Sequence, residues 1–467
     1  MAETVRTKVE PVKAEPAKAE PVKAELRRQL GLGSATAMIV AEVIAVGIFL
    51  TPAEMSKLLG SPIWIAVVWL VMGAMALSGA LCYGELAARF PEAGGGYVYL
   101  REAYGPQIAF LYGWKSILIM DPGITAALSI GLASYVGYLV NLSPLAMKAI
   151  AMASIVTLAA ANIFGASLGA LLIRCIAVLK LSLLAAIIIW AFAFGLGDWL
   201  NFSPLVAQRD GSAPLLAALA GSMVAAFFSF GGWWDLSKLA GEVRNPARTL
   251  PRALAAGVVT VTFIYILISA VFLYLIPIER VTSGETFAAQ AGEALFGRTG
   301  GAIFSGVVIV SVLGSLQAVM LSAPRVYYAM ARDRLFFPSI ASIHPRFGTP
   351  VRAIVLQGGL ASLLVMLGTF NKIIAYFIFV TVIFIALTVA AVFVLRKKEP
   401  TALAYRAPGY PVTPIIFLTL ICVLLLLLAA NNPVQASIGV VVVMAGAIVY
   451  RLGFRKNRYE KPAKPEI

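Results

Sequence analysis

The residues of this chain with chemistry to offer are few, and most sit where polarity is costly. Gly47 interrupts the apolar stretch MIVAEVIAVGIFLTP (Met38 to Pro52), and Gly231 and Gly232 interrupt AAFFSFGGWWDLSKL (Ala225 to Leu239). Backbone unwound at such points inside a hydrocarbon layer leaves amides and carbonyls without partners, and a bound solute can be that partner. The competing reading of these glycines is close helix packing alone. Glu42 stands one turn before the first break, and Asp121 and Lys180 lie in other apolar stretches. An ionisable group at that depth costs about 2.5–3.5 kcal/mol on insertion scales and is a functional candidate by default. Asp121 either faces a cavity or pairs with Lys115 or another buried cation. Asp235 and Lys238 follow the second break, where they line a pathway or mark the cytoplasmic half of the helix.

The elements that must position these groups follow from composition. With 60% hydrophobic and 13% charged residues and a mean hydropathy of +0.90 over 467 residues, a water-soluble globule is excluded. Runs without charge, long enough to cross a hydrocarbon layer of about 30 Å, include Leu58 to Gly84, Pro122 to Met147, Ala149 to Ile173, Gly211 to Trp234, Ala253 to Ile278 and Thr299 to Pro324. Ala353 to Asn371 and Ile373 to Leu395 continue the series, and Ala407 to Tyr450 holds two helices around an Asn431-Asn432-Pro433 turn. With the broken first span, the span led by Tyr104 to Met120, and Lys180 to Phe194, the expectation is an all-α polytopic membrane protein of twelve transmembrane helices.

The net charge of +15 could suggest a nucleic-acid partner, but its distribution argues for a lipid bilayer. With the N-terminus in the cytoplasm, most of the 37 Lys and Arg fall on cytoplasmic tails, loops and helix ends, which is the positive-inside pattern and puts both termini in the cytoplasm. Residues 10–25, EPVKAEPAKAEPVKAE, repeat every five residues with Pro and alternating charge, so residues 1–30 read as a disordered tail. Cys82, Cys175 and Cys422 fall in apolar spans and the lone His344 in a loop, so no disulfide framework, metal site or His-dependent triad is expected. No cofactor is called for, and no Walker motif supports primary pumping.

Spans one to five (31–200) and six to ten (201–398) each begin with a broken helix. An odd number of helices per half makes the second repeat enter from the opposite side, giving a 5+5 inverted repeat that brings breaks one and six together at midplane. Two further helices (399–454) and a cytoplasmic tail (455–467) lie outside it.

Three longer motifs then resemble signatures of the amino acid–polyamine–organocation superfamily of permeases. They are ALCYGELAARFPEAGGGYVYLREAYGP (Ala80 to Pro106), FFSFGGWWDLSKLAGEVRNPARTLPRAL (Phe227 to Leu254) and PRVYYAMARDRLFFPSIASIHPRFGTP (Pro324 to Pro350). FSFGGW and the span-five LLIRCIAVLKLSLLA look closest to the L-type amino acid transporter branch. The resemblance implies that a substrate α-carboxylate meets the amides of Ala45, Val46, Gly47 and Ile48, at a half-helix N-terminus that favours an anion. It implies that the α-ammonium meets carbonyls of Ile44, Phe228, Ser229 and Gly231 beside Gly232, and that Phe228 closes over the substrate. Lys180 matches the lysine that takes the place of the coupling cation in sodium-independent relatives, and could act as a proton-linked switch. Relatives usually read Gly-Ser-Gly-Ile-Phe where this chain has Ala45-Val46-Gly47-Ile48-Phe49, which removes one hydroxyl donor.

The function implied is sodium-independent secondary transport of amino acids across the plasma membrane (that of a bacterial inner membrane) by alternating access, as antiporter or proton-coupled symporter. Glu42 and Asp121 leave a polyamine or cationic amino acid as an alternative substrate. A channel or nutrient sensor on the same scaffold is the alternative of another class; an enzyme would need an acid, Cys or His cluster that is not visible. Glu42 either pairs with Lys180 or faces the cavity. The loop between spans three and four, near Val140 to Pro144, carries no Cys, so no disulfide-linked accessory subunit is expected.

Overall fold

A computed structural model describes residues 26–281, 291–367, 370–398, 404–431 and 433–454. The tail repeat of residues 10–25, the C-terminal tail and Asn432 of the expected turn lie outside the described residues. Among those described, the regular structure is helical, with one isolated parallel bridge between Leu30 and Val243. Ten helices are long and apolar enough to cross a membrane, or eleven with the bent pair Leu32–Val43 and Gly47–Leu59 counted as one span. Val351–Leu367, where the ninth span was expected, is a shorter apolar helix of 17 residues.

Two boundaries differ from the hydropathy reading. The run Ala149 to Ile173 is split between Pro144–Ile163 and Ala166–Ala193, because Gly165 adopts φ +147 and ends the first helix. Lys180 to Phe194 is the second half of that later helix. Likewise, Pro106–Lys115 continues through a π-turn, Ser116–Met120, into Asp121–Leu139. A single buried charge ends a hydropathy run without ending a helix, since the backbone ladder does not depend on the side chain's polarity.

The packing pairs corresponding members of the two halves. Gly47–Leu59 lies against Leu215–Ser229, Pro62–Arg89 against Pro246–Leu275, Asp121–Leu139 against Gly300–Ser322, and Pro144–Ile163 against Val351–Leu367. Spans one to four thus each meet the one five spans later. Leu32–Val43 is further enclosed by Ala166–Ala193 and Pro246–Leu275, so the first break sits at the centre of the molecule. The expected tail also ends earlier than residue 30. Leu30 is buried, and the amides of Gln29 and Leu30 donate to the Glu242 carbonyl at 2.8 and 2.9 Å, while Arg244 returns a 2.8 Å bond to Leu30.

Candidate functional site

The first break spans Ile44 to Val46, across which the axis bends by 47°. Ile44 leaves helical geometry at ψ 85, and the Ala45 amide turns to the Val43 carbonyl at 2.9 Å. The carbonyls so released are taken up by side chains. Lys180, fully buried, donates to Ala41 at 2.8 Å and also to Ile44. Ser315 donates to Ala41 at 2.7 Å. Beyond the break, Gly47 and Ile48 open a new helix, and first-turn amides have no partner within their own helix.

The second break follows Ser229. Phe230 and Gly231 form a turn, Gly232 takes φ +110, and Trp233–Glu242 continues as a 3₁₀ helix of 10 residues. A 3₁₀ helix stacks residues three apart in one row. Gly232, Asp235 and Lys238 therefore line up, and Lys238 meets Asp235 at 3.0 Å. Gly232 needs its freedom twice over: an L-residue rarely adopts its φ, and a Cβ there would stand 2.8 Å from Cγ of Glu42.

The breaks touch. A Cβ on Gly47 would approach the Ser229 hydroxyl to 2.7 Å, so only glycine lets the two strands of backbone meet. Thr51 and Ser229 share a hydroxyl–hydroxyl bond of 2.7 Å. The Tyr265 hydroxyl lies 2.8 Å from the Val43 carbonyl and 2.6 Å from that of Ser229, its one proton available to either. Ala45, Gly47 and Gly231 are partly open, and Phe228 is 40% exposed beside them. Gly231 has more room than Gly47 or Gly232, its nearest neighbour being the Phe228 carbonyl. Trp233 and Trp234 are both buried.

The structure chooses among the alternatives that the sequence left open for the charges. Glu42 does not pair with Lys180: the lysine is held by carbonyls, and the charged neighbours of Glu42 are Asp235, Lys238 and Asp121. Asp121 pairs with another buried cation, as one alternative had it: Lys238, at 3.1 Å, and not Lys115. The Lys115 ammonium lies 2.8 Å from the Met120 sulfur and 4.6 Å over the Tyr112 ring. Lys238 is fully buried between two carboxylates. Tyr265 and Ser315 were missed as well; hydroxyls on apolar helices give no pattern to read. For Lys238, the Asp–x–x–Lys spacing was the available signal.

Towards the end of the molecule that carries residue 30, ion pairs join the helix ends. Arg325 grips Glu242 with bonds of 2.6 and 3.1 Å, Arg396 holds Glu85, and Arg332 reaches Glu92. These glutamates and arginines at helix ends are thus paired with one another, away from the breaks.

Two helices broken at one level, touching through glycine and surrounded by membrane-length spans, define a solute carrier with a central backbone-lined site. Residues 30–453 match the amino acid permease family, and the chain belongs to it. The serine/threonine exchanger SteT of Bacillus subtilis (strain 168) is 32% identical over 440 residues, covering 93% of this chain and 98% of its own. The human b(0,+)-type amino acid transporter 1 is 28% identical over 409 residues, 86% of this chain and 82% of its own. The human large neutral amino acids transporter small subunit 2 is 27% identical over 438 residues, 92% of this chain and 81% of its own. Both the family and these relatives are transporters and not enzymes, and this chain is a multi-pass amino acid transporter.

Proposed function

We propose that this permease is a sodium-independent carrier of small neutral amino acids, working by alternating access between its two broken helices. The observation that carries the reading is the Lys180 ammonium bonded to the freed carbonyls of Ala41 and Ile44. Carbonyls at a helix break are what a bound monovalent cation would use, and here a covalently fixed cation has them. The amides of Ala45 to Ile48 would receive the substrate carboxylate. Its ammonium would be received by carbonyls of the second break, chiefly Phe228 and Gly231, since those of Ile44 and Ser229 already have protein donors. Phe228 would close the cavity. Small side chains fit because the Trp234 ring reaches to 3.9 Å from the Gly231 Cβ position, and a serine/threonine exchanger is among the similar proteins.

We place the protein in the plasma membrane with both termini in the cytoplasm, on the distribution of Lys and Arg. We take it to work without a disulfide-linked subunit, because residues 140–144 contain no Cys. The pairing of each of the first four spans with the one five spans later supports the inverted repeat. The test is counterflow of each of the standard amino acids into proteoliposomes of the purified single chain, in sodium-free buffer. Serine, threonine and alanine should exchange faster than leucine or arginine. A strict need for sodium, exchange only after an added subunit, or downhill flux without counterflow would overturn the reading.

A further inference from the structure

Glu42 is 5% exposed, and neither of its carboxylate oxygens has a hydrogen-bond partner among the described residues. An uncompensated carboxylate in that position is far more costly than a paired one. Two more acceptors stand open around it, Oδ1 of Asp235 and Oδ2 of Asp121, again buried and without donors. The groups facing this cluster come from every helix packed on it. They are Lys115, Tyr112 and Asp121 of the third span, Asp235 and Lys238 of the sixth, Tyr83 of the second and Tyr327 after the eighth. On the opposite flank, Lys180 and Tyr265 are engaged with backbone carbonyls. Three carboxylates therefore face two ammoniums, and a single proton makes the cluster neutral.

We propose that Glu42 and Asp235 share one transported proton, so that this cluster, and not Lys180, couples amino acid movement to protons. The inference rests on the carrier reading above and names the coupling ion for the same site. A hydronium ion arriving through the partly open break gives its proton to a Glu42 oxygen, forming one O–H bond and leaving water. The resulting carboxyl donates to the open Oδ1 of Asp235, and release on the other side reverses the step. Glu42 is well placed for this, since its Cγ lies against the Gly232 backbone in the break itself.

A larger occupant fits the geometry less well. Lys238 already fills the space between Asp121 and Asp235, so a substrate ammonium or guanidinium would meet a like charge. No group of three His, Cys, Asp or Glu side chains among the described residues converges as metal ligands do. A proton needs no volume.

The experiment uses proteoliposomes of the full chain with an entrapped pH indicator, and the amino acid best exchanged in the counterflow panel as the probe. Influx of that amino acid should acidify the lumen, and uptake should rise as external pH falls, by up to about tenfold per pH unit across the titration range. In Glu42→Gln and Asp235→Asn, whatever uptake remains should be flat with pH and bring no acidification, while Glu42→Asp should keep the pH dependence. A melting temperature for each variant identifies one that fails to fold, and the other then decides. A wild type that exchanges the amino acid in counterflow but shows no acidifying net influx into liposomes free of it overturns the proposal and leaves the carrier reading standing. So does a wild-type pH slope in either neutral variant, or a loss confined to arginine and lysine uptake, which would mark a side-chain subsite. Absence of counterflow for the entire panel would instead sink the carrier reading beneath it.

Discussion

Two buried lysines flank the first break, and their surroundings could hardly differ more. Lys180 meets only backbone carbonyls, those of Ala41 and Ile44, with Ser315 sharing the first. Lys238 lies between the carboxylates of Asp121 and Asp235, at 3.1 and 3.0 Å, with Glu42 nearby. A charge held by dipoles can be removed at the loss of a few hydrogen bonds. One that balances several opposite charges cannot be removed without stranding them. Lys180 is thus a local fastener of the break, and Lys238 is the keystone of an electrostatic cluster.

The sharpest way to break this comparison is Lys238→Ala. It should destabilise the protein by about 3–5 kcal/mol, the cost of leaving buried carboxylates unpaired, and yield of folded protein in detergent should drop sharply. Adding Asp121→Asn and Asp235→Asn should restore much of the melting temperature. Recovery of none of it would mean that the lysine acts through packing. Next in size, Lys180→Ala should lower uptake by on the order of tenfold to a hundredfold, since two charge-assisted hydrogen bonds that hold the break are lost. Its melting temperature should fall less than that of Lys238→Ala. Equal losses of stability in the two would erase the distinction.

The glycines sharpen the picture further. Gly232→Ala should cost about 1–2 kcal/mol for the left-handed backbone alone and displace Glu42 as well, whereas Gly231→Ala should be milder in both melting temperature and uptake. A larger residue, Gly231→Leu, should still obstruct the break. The smallest expected effect is that of Thr51→Val. Losing its 2.7 Å bond to Ser229 is worth about 0.5–1.5 kcal/mol, visible as a several-fold rise in KM with little change in stability. An unchanged KM would separate that hydroxyl pair from the substrate site.

The breaks were legible because glycine in an apolar stretch is an anomaly that hydropathy makes conspicuous. Lys180 was legible because one charge in a long apolar helix stands out in the same way, and the family resemblance gave it a role. Lys238 was not, because it sits near other charges at what hydropathy takes for the end of a span. Its burial depends on the 3₁₀ winding that aligns it with Gly232 and Asp235, and a change of helical pitch leaves no trace in composition. The partner of Asp121 was hidden for the same reason, since choosing between Lys115 and Lys238 needs the third dimension. Helix ends went astray where a charge, as at Lys180, interrupted the hydropathy of an unbroken helix, or where Gly165 ended one inside an apolar run.

The short bridge between Leu30 and Val243 has a consequence for motion. Gln29 and Leu30 both donate to Glu242, Arg244 returns to Leu30, and the Glu242 side chain is gripped by Arg325. These contacts share one residue and tie the start of Leu32–Val43 to the end of Trp233–Glu242. The two half-helices are thereby yoked and swing as one piece, so a ligand that draws on one broken helix must move its counterpart as well.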